Sequence, residues 1–315
     1  MRSFCGAIIG SMVLTLALGR GSVSGQDLTG LAGAFPNIPI TARWAALQNP
    51  SGSLCDPITA TYLNPAAVVQ TSGREVGFSY SRLFGLVPVL SAAGALPLGP
   101  RAGFGLAFTS SGDELYREHT VRASAGRIGI VLGRQVDVGV AAALHYATYG
   151  SKDLQPRGVS GDALGGSLDI GTRLWLTPET AITLVMQRAL SYLRWNSSGR
   201  GRYMEGLPPF LAAGISVVRP SRLQLGIDLE KSLTRDAANR LYLFGERELS
   251  GLVVLRASYA TQTSGEPTAC WALGFGLKQE LPGLGKMQMD IAYIVHPMPN
   301  TLGVTFGLGL PPTSK

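Results

Sequence analysis

The last strand-length stretch of the chain alternates without a break. Leu302, Val304, Phe306, Leu308 and Leu310 take every second position, with Thr301, Gly303, Thr305, Gly307 and Gly309 between them. A period of two is that of a β-strand, whose successive side chains point to opposite faces. The second face is what constrains the fold. A sandwich strand buries its apolar side and shows charge to water, whereas a face of glycine and threonine suits neither solvent nor a packed core. Apolar residues turned to lipid and small residues turned to a crowded lumen account for both faces, as in a transmembrane barrel.

The same pattern recurs upstream. Leu223, Leu225, Ile227 and Leu229 interleave with Arg222, Gln224, Gly226, Asp228 and Glu230. Val136, Val138, Val140, Ala142, Leu144 and Tyr146 interleave with Asp137, Gly139, Ala141, Ala143 and His145, and Met287 to Tyr293 behaves alike. Carried along the chain, the alternation predicts strands near 74–83, 87–96, 101–110, 117–133, 135–149, 160–176, 180–194, 207–219, 221–233, 239–248, 251–262, 268–280, 286–297 and 301–310. Turn signals such as Pro97-Leu98-Gly99-Pro100, Gly133-Arg134 and Pro282-Gly283 separate them. The longer polar connections near 150–159 and 195–206 are expected on the outer side. The fold class is therefore an all-β transmembrane barrel of about 14 antiparallel strands, an even number that closes with no free edge.

The N-terminus sets the compartment. Met1-Arg2 followed by an apolar run from Cys5 to Leu18 and small residues to Gly25 reads as a secretory signal peptide over 1–25. No later stretch approaches the roughly 18 uninterrupted apolar residues of a helical span. Yet hydrophobic residues make up 45%, charged residues only 15%, and glycine 41 of 315 positions, against an ordinary ~25% charged and ~7% glycine. Removal of Arg2 and Arg20 with the leader leaves 25 basic against 20 acidic residues. For an exported chain this excess points to outer-membrane lipid and lipopolysaccharide phosphates, or to the lining of a polar lumen, rather than to nucleic acid. Cys55 and Cys270 remain after cleavage; a disulfide and two separate thiols are both open.

Between leader and barrel (73–311, with a tail 312–315), the segment 26–72 breaks the alternation. Thr41 to Leu47 has helical composition, and Asn64-Pro65 reads as an N-cap followed by proline at the first helical position. Short helices here predict an N-terminal plug inside or beneath the barrel, with Asn64, Pro65 and Ala66 as gate or dock. Parity places Asp137, His145, Asp169, Arg173, Arg222, Asp228, Lys278 and Asp290 on the lumen side, where they are expected to form a polar network. Trp175, Tyr192, Trp195, Tyr242 and Trp271 are expected in interfacial girdles or lumen packing. His119, His145 and His296 are the only imidazoles, and none sits in a nucleophile or metal motif. The Gly103-x-Gly105 and Gly274-x-Gly276 pairs lack the helix and acidic partner of a nucleotide fingerprint. No enzyme, cofactor or metal chemistry is expected.

Ala42-Arg43-Trp44-Ala45-Ala46-Leu47, then Asp56 and Ala60-Thr61-Tyr62-Leu63-Asn64-Pro65-Ala66, resemble the plug region of PorV/PorQ and FadL-type outer-membrane barrels. Phe244-Gly245-Glu246-Arg247, Val254 to Tyr259 and Gly274 to Tyr293 resemble the closing strands of the same superfamily. Gln48-Asn49-Pro50 replaces a glycine pair of those proteins, and the last strand ends on Leu310 rather than an aromatic residue. The resemblance implies a bacterial outer-membrane location and one of two functions. PorV-like members are scaffolds or adaptors in type IX protein secretion, with secretion proteins or cargo as partners. FadL-like members pass long-chain fatty acids or other small hydrophobic compounds. The polar connections, such as Asn196 to Arg202, favour the adaptor.

Overall fold

A computed structural model describes residues 40–150, 159–219, 222–233, 239–263, 268–282, 285–296 and 300–310. The leader, the first part of the plug segment, the tail 312–315 and most of the connection 150–159 lie outside these residues. Two short helices and a 3-10 turn come first: α1 (Ala42–Leu47), α2 (Pro57–Leu63) and Pro65–Gln70. The strands follow as β1 (Arg74–Leu83), β2 (Val87–Pro97), β3 (Ala102–Gly112), β4 (Tyr116–Val131), β5 (Arg134–Tyr149), β6 (Gly161–Trp175) and β7 (Thr180–Ser197). Then come β8 (Gly201–Glu205), β9 (Phe210–Arg219), β10 (Leu223–Ser232), β11 (Arg240–Glu248), β12 (Val253–Gln262), β13 (Ala269–Leu281), β14 (Gly285–Val295) and β15 (Thr301–Leu310).

Fourteen of these strands pair antiparallel with their neighbours, and β1 with β15 closes the ring. The exception is β8. Residues 195–206, expected as a loop, form a hairpin in which Trp195 pairs with Tyr203. The polar Ser-Ser-Gly-Arg-Gly tip is only its turn, with Gly201 at φ 74. Short turns lie at the end where Arg74 meets Leu310, and the longer connections lie at the other. In barrels of this type the short-turn end faces the periplasm.

The outer face is an apolar band, with Phe78 60% and Leu144 65% exposed in the isolated chain. Such exposure is costly in water and neutral in lipid. Inside, α1 lays Ala42, Ala45 and Ala46 against Ala272, Ala292 and Ile294. Leu47 and Leu54 pack on Tyr242, Phe244 and Ala260. The plug therefore has an apolar core of its own making with the wall. Of the aromatic residues, Trp195 and Tyr242 are buried in the lumen, while Tyr192 and Trp271 are exposed on the outer face.

Candidate functional site

The plug is built from capped turns. Thr41 caps α1 by accepting from the Trp44 N–H (3.1 Å), and Asp56 caps α2 by accepting from the Thr59 N–H (2.7 Å). Asn64 caps the 3-10 turn: its Oδ1 accepts from the Ala66 N–H (3.0 Å) while its amide donates to the Ser51 carbonyl (3.0 Å). Asn64 and Ala66 are fully buried. The wall is shaped to receive them. At Gly139 on β5 a β-carbon would overlap the Pro65 backbone, and at Gly171 on β6 it would overlap the Asn64 side chain and touch the Pro65 ring. Gly103 and Gly105 likewise face Val68 and Thr61 at contact distance. These lumen glycines are a cradle for plug backbone, which their strand alternation alone did not reveal.

Side chains from around the wall then hold the plug. Arg43 of α1 donates to Glu246 (3.0 and 3.2 Å) and to Asp56 (3.2 Å). Glu246 also accepts from Arg256 (2.5 Å), which donates onward to Asp290 (2.7 Å). Asp228 accepts from the Ser51 N–H (2.8 Å) and the Ser53 hydroxyl (3.0 Å). Arg122 ion-pairs with Asp169, and its Nε donates to the Thr61 carbonyl (2.7 Å) at the end of α2. Gln187 donates to the Leu63 carbonyl (3.3 Å).

The lumen residues anticipated by parity thus fall into separate clusters. Asp137 lies beside Arg173 (3.9 Å) and accepts from the Trp175 indole (2.9 Å). His145 bridges the hydroxyls of Thr120 (3.0 Å) and Ser167 (2.9 Å) across three strands. Asp169, Asp228 and Asp290 each hold plug or wall as described above. Arg222 is not in the lumen. It sits in the turn before β10 with φ 59 and a side chain 57% exposed, paired with Glu248 (2.7 Å). Lys278 reaches the same Glu248 (3.4 Å) at the short-turn mouth. Alternation misplaced Arg222 because the strand begins one residue later, at Leu223. Arg43, Arg122, Glu246 and Arg256 carry the strongest contacts and were not singled out. The inward parity of the last three was readable; their partners on the plug were not.

Two cavities flank the plug. One, of about 100 Å³, lies on the long-loop side. Ile40, Trp44, Tyr62, Val89 and Ala107 give it apolar lining, and Thr120, Arg122, His145, Ser167, Asp169 and Arg188 give it polar lining. Arg188 enters through a bulge in β7 that shifts the β6–β7 register between Leu168 and Ile170. Its φ is 55, and its N–H donates to Asp169 (2.6 Å). Toward the long-loop end, Leu193, Trp195 and Leu207 pack with Ala147, Ala163, Tyr149 and Tyr203. The other cavity, about 740 Å³, opens on the short-turn side among Arg43, Asp56, Glu75, Glu248, Lys278 and Asp290.

This plugged fourteen-strand barrel has solved counterparts. CymD, a monoaromatic hydrocarbon channel, superposes with a TM-score of 0.59 at 13% identity, covering 84% of this chain and 97% of its own. The Pseudomonas putida toluene transporter TodX gives 0.58 at 12%, covering 85% and 96%. A Pseudomonas aeruginosa FadL homologue gives 0.57 at 12%, covering 85% and 97%. The chain shares the fold of these barrels. No family model matches the sequence, and no curated protein matches it.

Inside the barrel, Cys55 and Cys270 are free thiols. Cys55 is buried in the plug and donates to the Gly52 carbonyl (3.0 Å), and Cys270 donates to Gln48 Oε1 (3.0 Å). Burial pushes the Cys55 thiol up to about 11. Its reactive thiolate is therefore scarce below that pH. At pH 8 we expect maleimide to leave Cys55 unmodified in the folded barrel and to label it within minutes in denaturant, read by peptide mass spectrometry. Fast labelling of folded protein at pH 8 would mean that the plug opens on that timescale.

Proposed function

We propose that this chain is a channel of the bacterial outer membrane for small hydrophobic compounds, exported by the leader 1–25. The observation that carries the reading is the chamber on the long-loop side, lined in part by Ile40, Trp44, Tyr62, Val89 and Ala107 inside a FadL-like barrel. An apolar pocket with a few convergent polar groups is the usual form of a small-molecule site. CymD and TodX, a hydrocarbon channel and a toluene transporter, support it as structural neighbours.

Of the two functions implied by the resemblance at Ala42–Leu47 and Asn64–Ala66, these neighbours favour the channel and lend no support to a PorV/PorQ-type secretion adaptor. Plug residues 40–72 act as the stopper between chamber and periplasmic vestibule, with Asn64, Pro65 and Ala66 as its dock. The test is uptake of labelled toluene by a deletion strain. We expect uptake to fall on deletion and to return with the wild-type gene. Unchanged uptake, with secretion components recovered by crosslinking from intact outer membranes, would reverse the reading in favour of the adaptor.

A further inference from the structure

Half of the chamber wall is more polar than a hydrocarbon requires. Arg122 is tied to Asp169 and to the Thr61 carbonyl, yet its Nη2 is buried with no hydrogen-bond partner. A buried donor left unpaired carries the full cost of its desolvation. Thr120 and Ser167 present hydroxyls on either side of His145 at the same wall. Trp44, Tyr62 and Val89 line the same chamber.

We infer that the chamber receives a neutral single-ring molecule bearing one hydroxyl, its ring against Trp44, Tyr62 and Val89 and its hydroxyl toward Arg122 and Ser167. This rests on the channel reading and narrows its substrate class. Size and charge fix the terms. The volume, about 100 Å³, is of the order of the ~150 Å³ cavities that hold benzene; a long acyl chain exceeds it. The charges of the wall cancel, with Arg122 and Arg188 set against Asp169 and Glu118. A carboxylate placed there meets two like charges, beside cations already engaged with Asp169. A hydroxyl is acceptor and donor at once, so it can take the Arg122 N–H and give its own proton to Ser167 or Asp169. Discrimination of this kind is strong because the analogue lacking the hydroxyl leaves buried polar groups unpaired.

The experiment is calorimetric titration of the full-length barrel in detergent with p-cresol, toluene and p-toluate, three ligands sharing one ring and differing in the head group. Heats are referenced to detergent alone. We expect p-cresol to bind at least about tenfold more tightly than either of the others, since one good hydrogen bond is worth roughly that factor. Ser167→Ala should weaken p-cresol several-fold and leave toluene unchanged, with an unaltered melting temperature showing that the variant is folded. Toluene binding as tightly as p-cresol would overturn the inference and leave the channel standing. So would p-toluate binding tightest. No binding by any of the three overturns the chamber assignment, and toluene uptake in the deletion strain reports separately on the channel.

Discussion

Replacing Gly139 by valine should open the barrel. A β-carbon there overlaps the Pro65 backbone, so the plug cannot seat, whereas the strand itself gains a residue with higher β-propensity than glycine. The same holds for Gly171→Val, where the side chain would enter the space of Asn64 and the Pro65 ring. Strand pairing is untouched in either case, and both variants are expected to keep the compact band of a folded barrel on unheated gels. A fourteen-strand ring relieved of its stopper encloses water, as larger porins do. In planar bilayers we expect conductance to rise at least about tenfold over the wild-type protein, and cells carrying the variant to become sensitive to large polar antibiotics. Gly94→Ala is the control, since a β-carbon at Gly94 meets only ordinary contacts. Wild-type conductance in both lumen variants would mean that the cradle tolerates side chains and that the plug is not held by close approach.

Much of this architecture was legible in the chain because lipid imposes a simple rule on a barrel strand. Leu302 to Leu310, Val136 to Tyr146 and Leu223 to Leu229 each show their outer face directly, and those strands stand where the alternation places them. Asn64 was legible as a cap because a cap needs only local chemistry. The lumen is different. Whether Asp290 meets Arg256 or Lys278 depends on register between strands, and whether Glu246 meets Arg43 depends on a helix some two hundred residues away in sequence. Glycine in a strand is equally silent: Gly139 reads as a small inward residue, and only the path of Asn64-Pro65 explains why nothing larger stands there. The hairpin ending in β8 was hidden by its polar tip, because the stabilising stack of Trp195 on Tyr203 lies below it.

The two cavities beside the plug differ in chemistry. The chamber is half apolar, while the vestibule on the other side of the plug carries Asp56, Glu75, Glu248 and Asp290 with Arg43 and Lys278. A hydrophobic solute is therefore better accommodated above the plug than below it. Between the two lies the contact of α1 with α2, where the hydroxyls of Thr41 and Thr59 meet at 3.0 Å. Any passage toward the short-turn side must part these helices or move them together.

Among the contacts that resist that movement is the carboxylate of Glu246, and its removal is the second large effect we expect. Glu246 stands between two guanidinium groups, Arg43 from the plug and Arg256 from β12, with side-chain exposures of 11% and 1%. Glutamine keeps the shape but removes the charge, leaving two buried cations closer to each other than to full compensation, because Asp56 and Asp290 each serve only one of them. Breaking a buried pair by removing one partner costs on the order of 3–5 kcal/mol. Glu246→Gln should therefore lower the urea midpoint of the detergent-solubilised barrel by an amount corresponding to about 3 kcal/mol. Arg43→Met combined with Glu246→Met should lose less than the sum of the two single changes, since apolar replacement of both partners removes the unpaired charge along with the pair. Because Arg43 belongs to the plug and Glu246 to the wall, the loss falls on the contact between plug and wall. Cys55 supplies the local readout: its labelling at pH 8 should accelerate in Glu246→Gln before the barrel unfolds. A midpoint within about 0.5 kcal/mol of wild type, with Cys55 still protected, would shift the anchoring role to Asp228 and the glycine cradle.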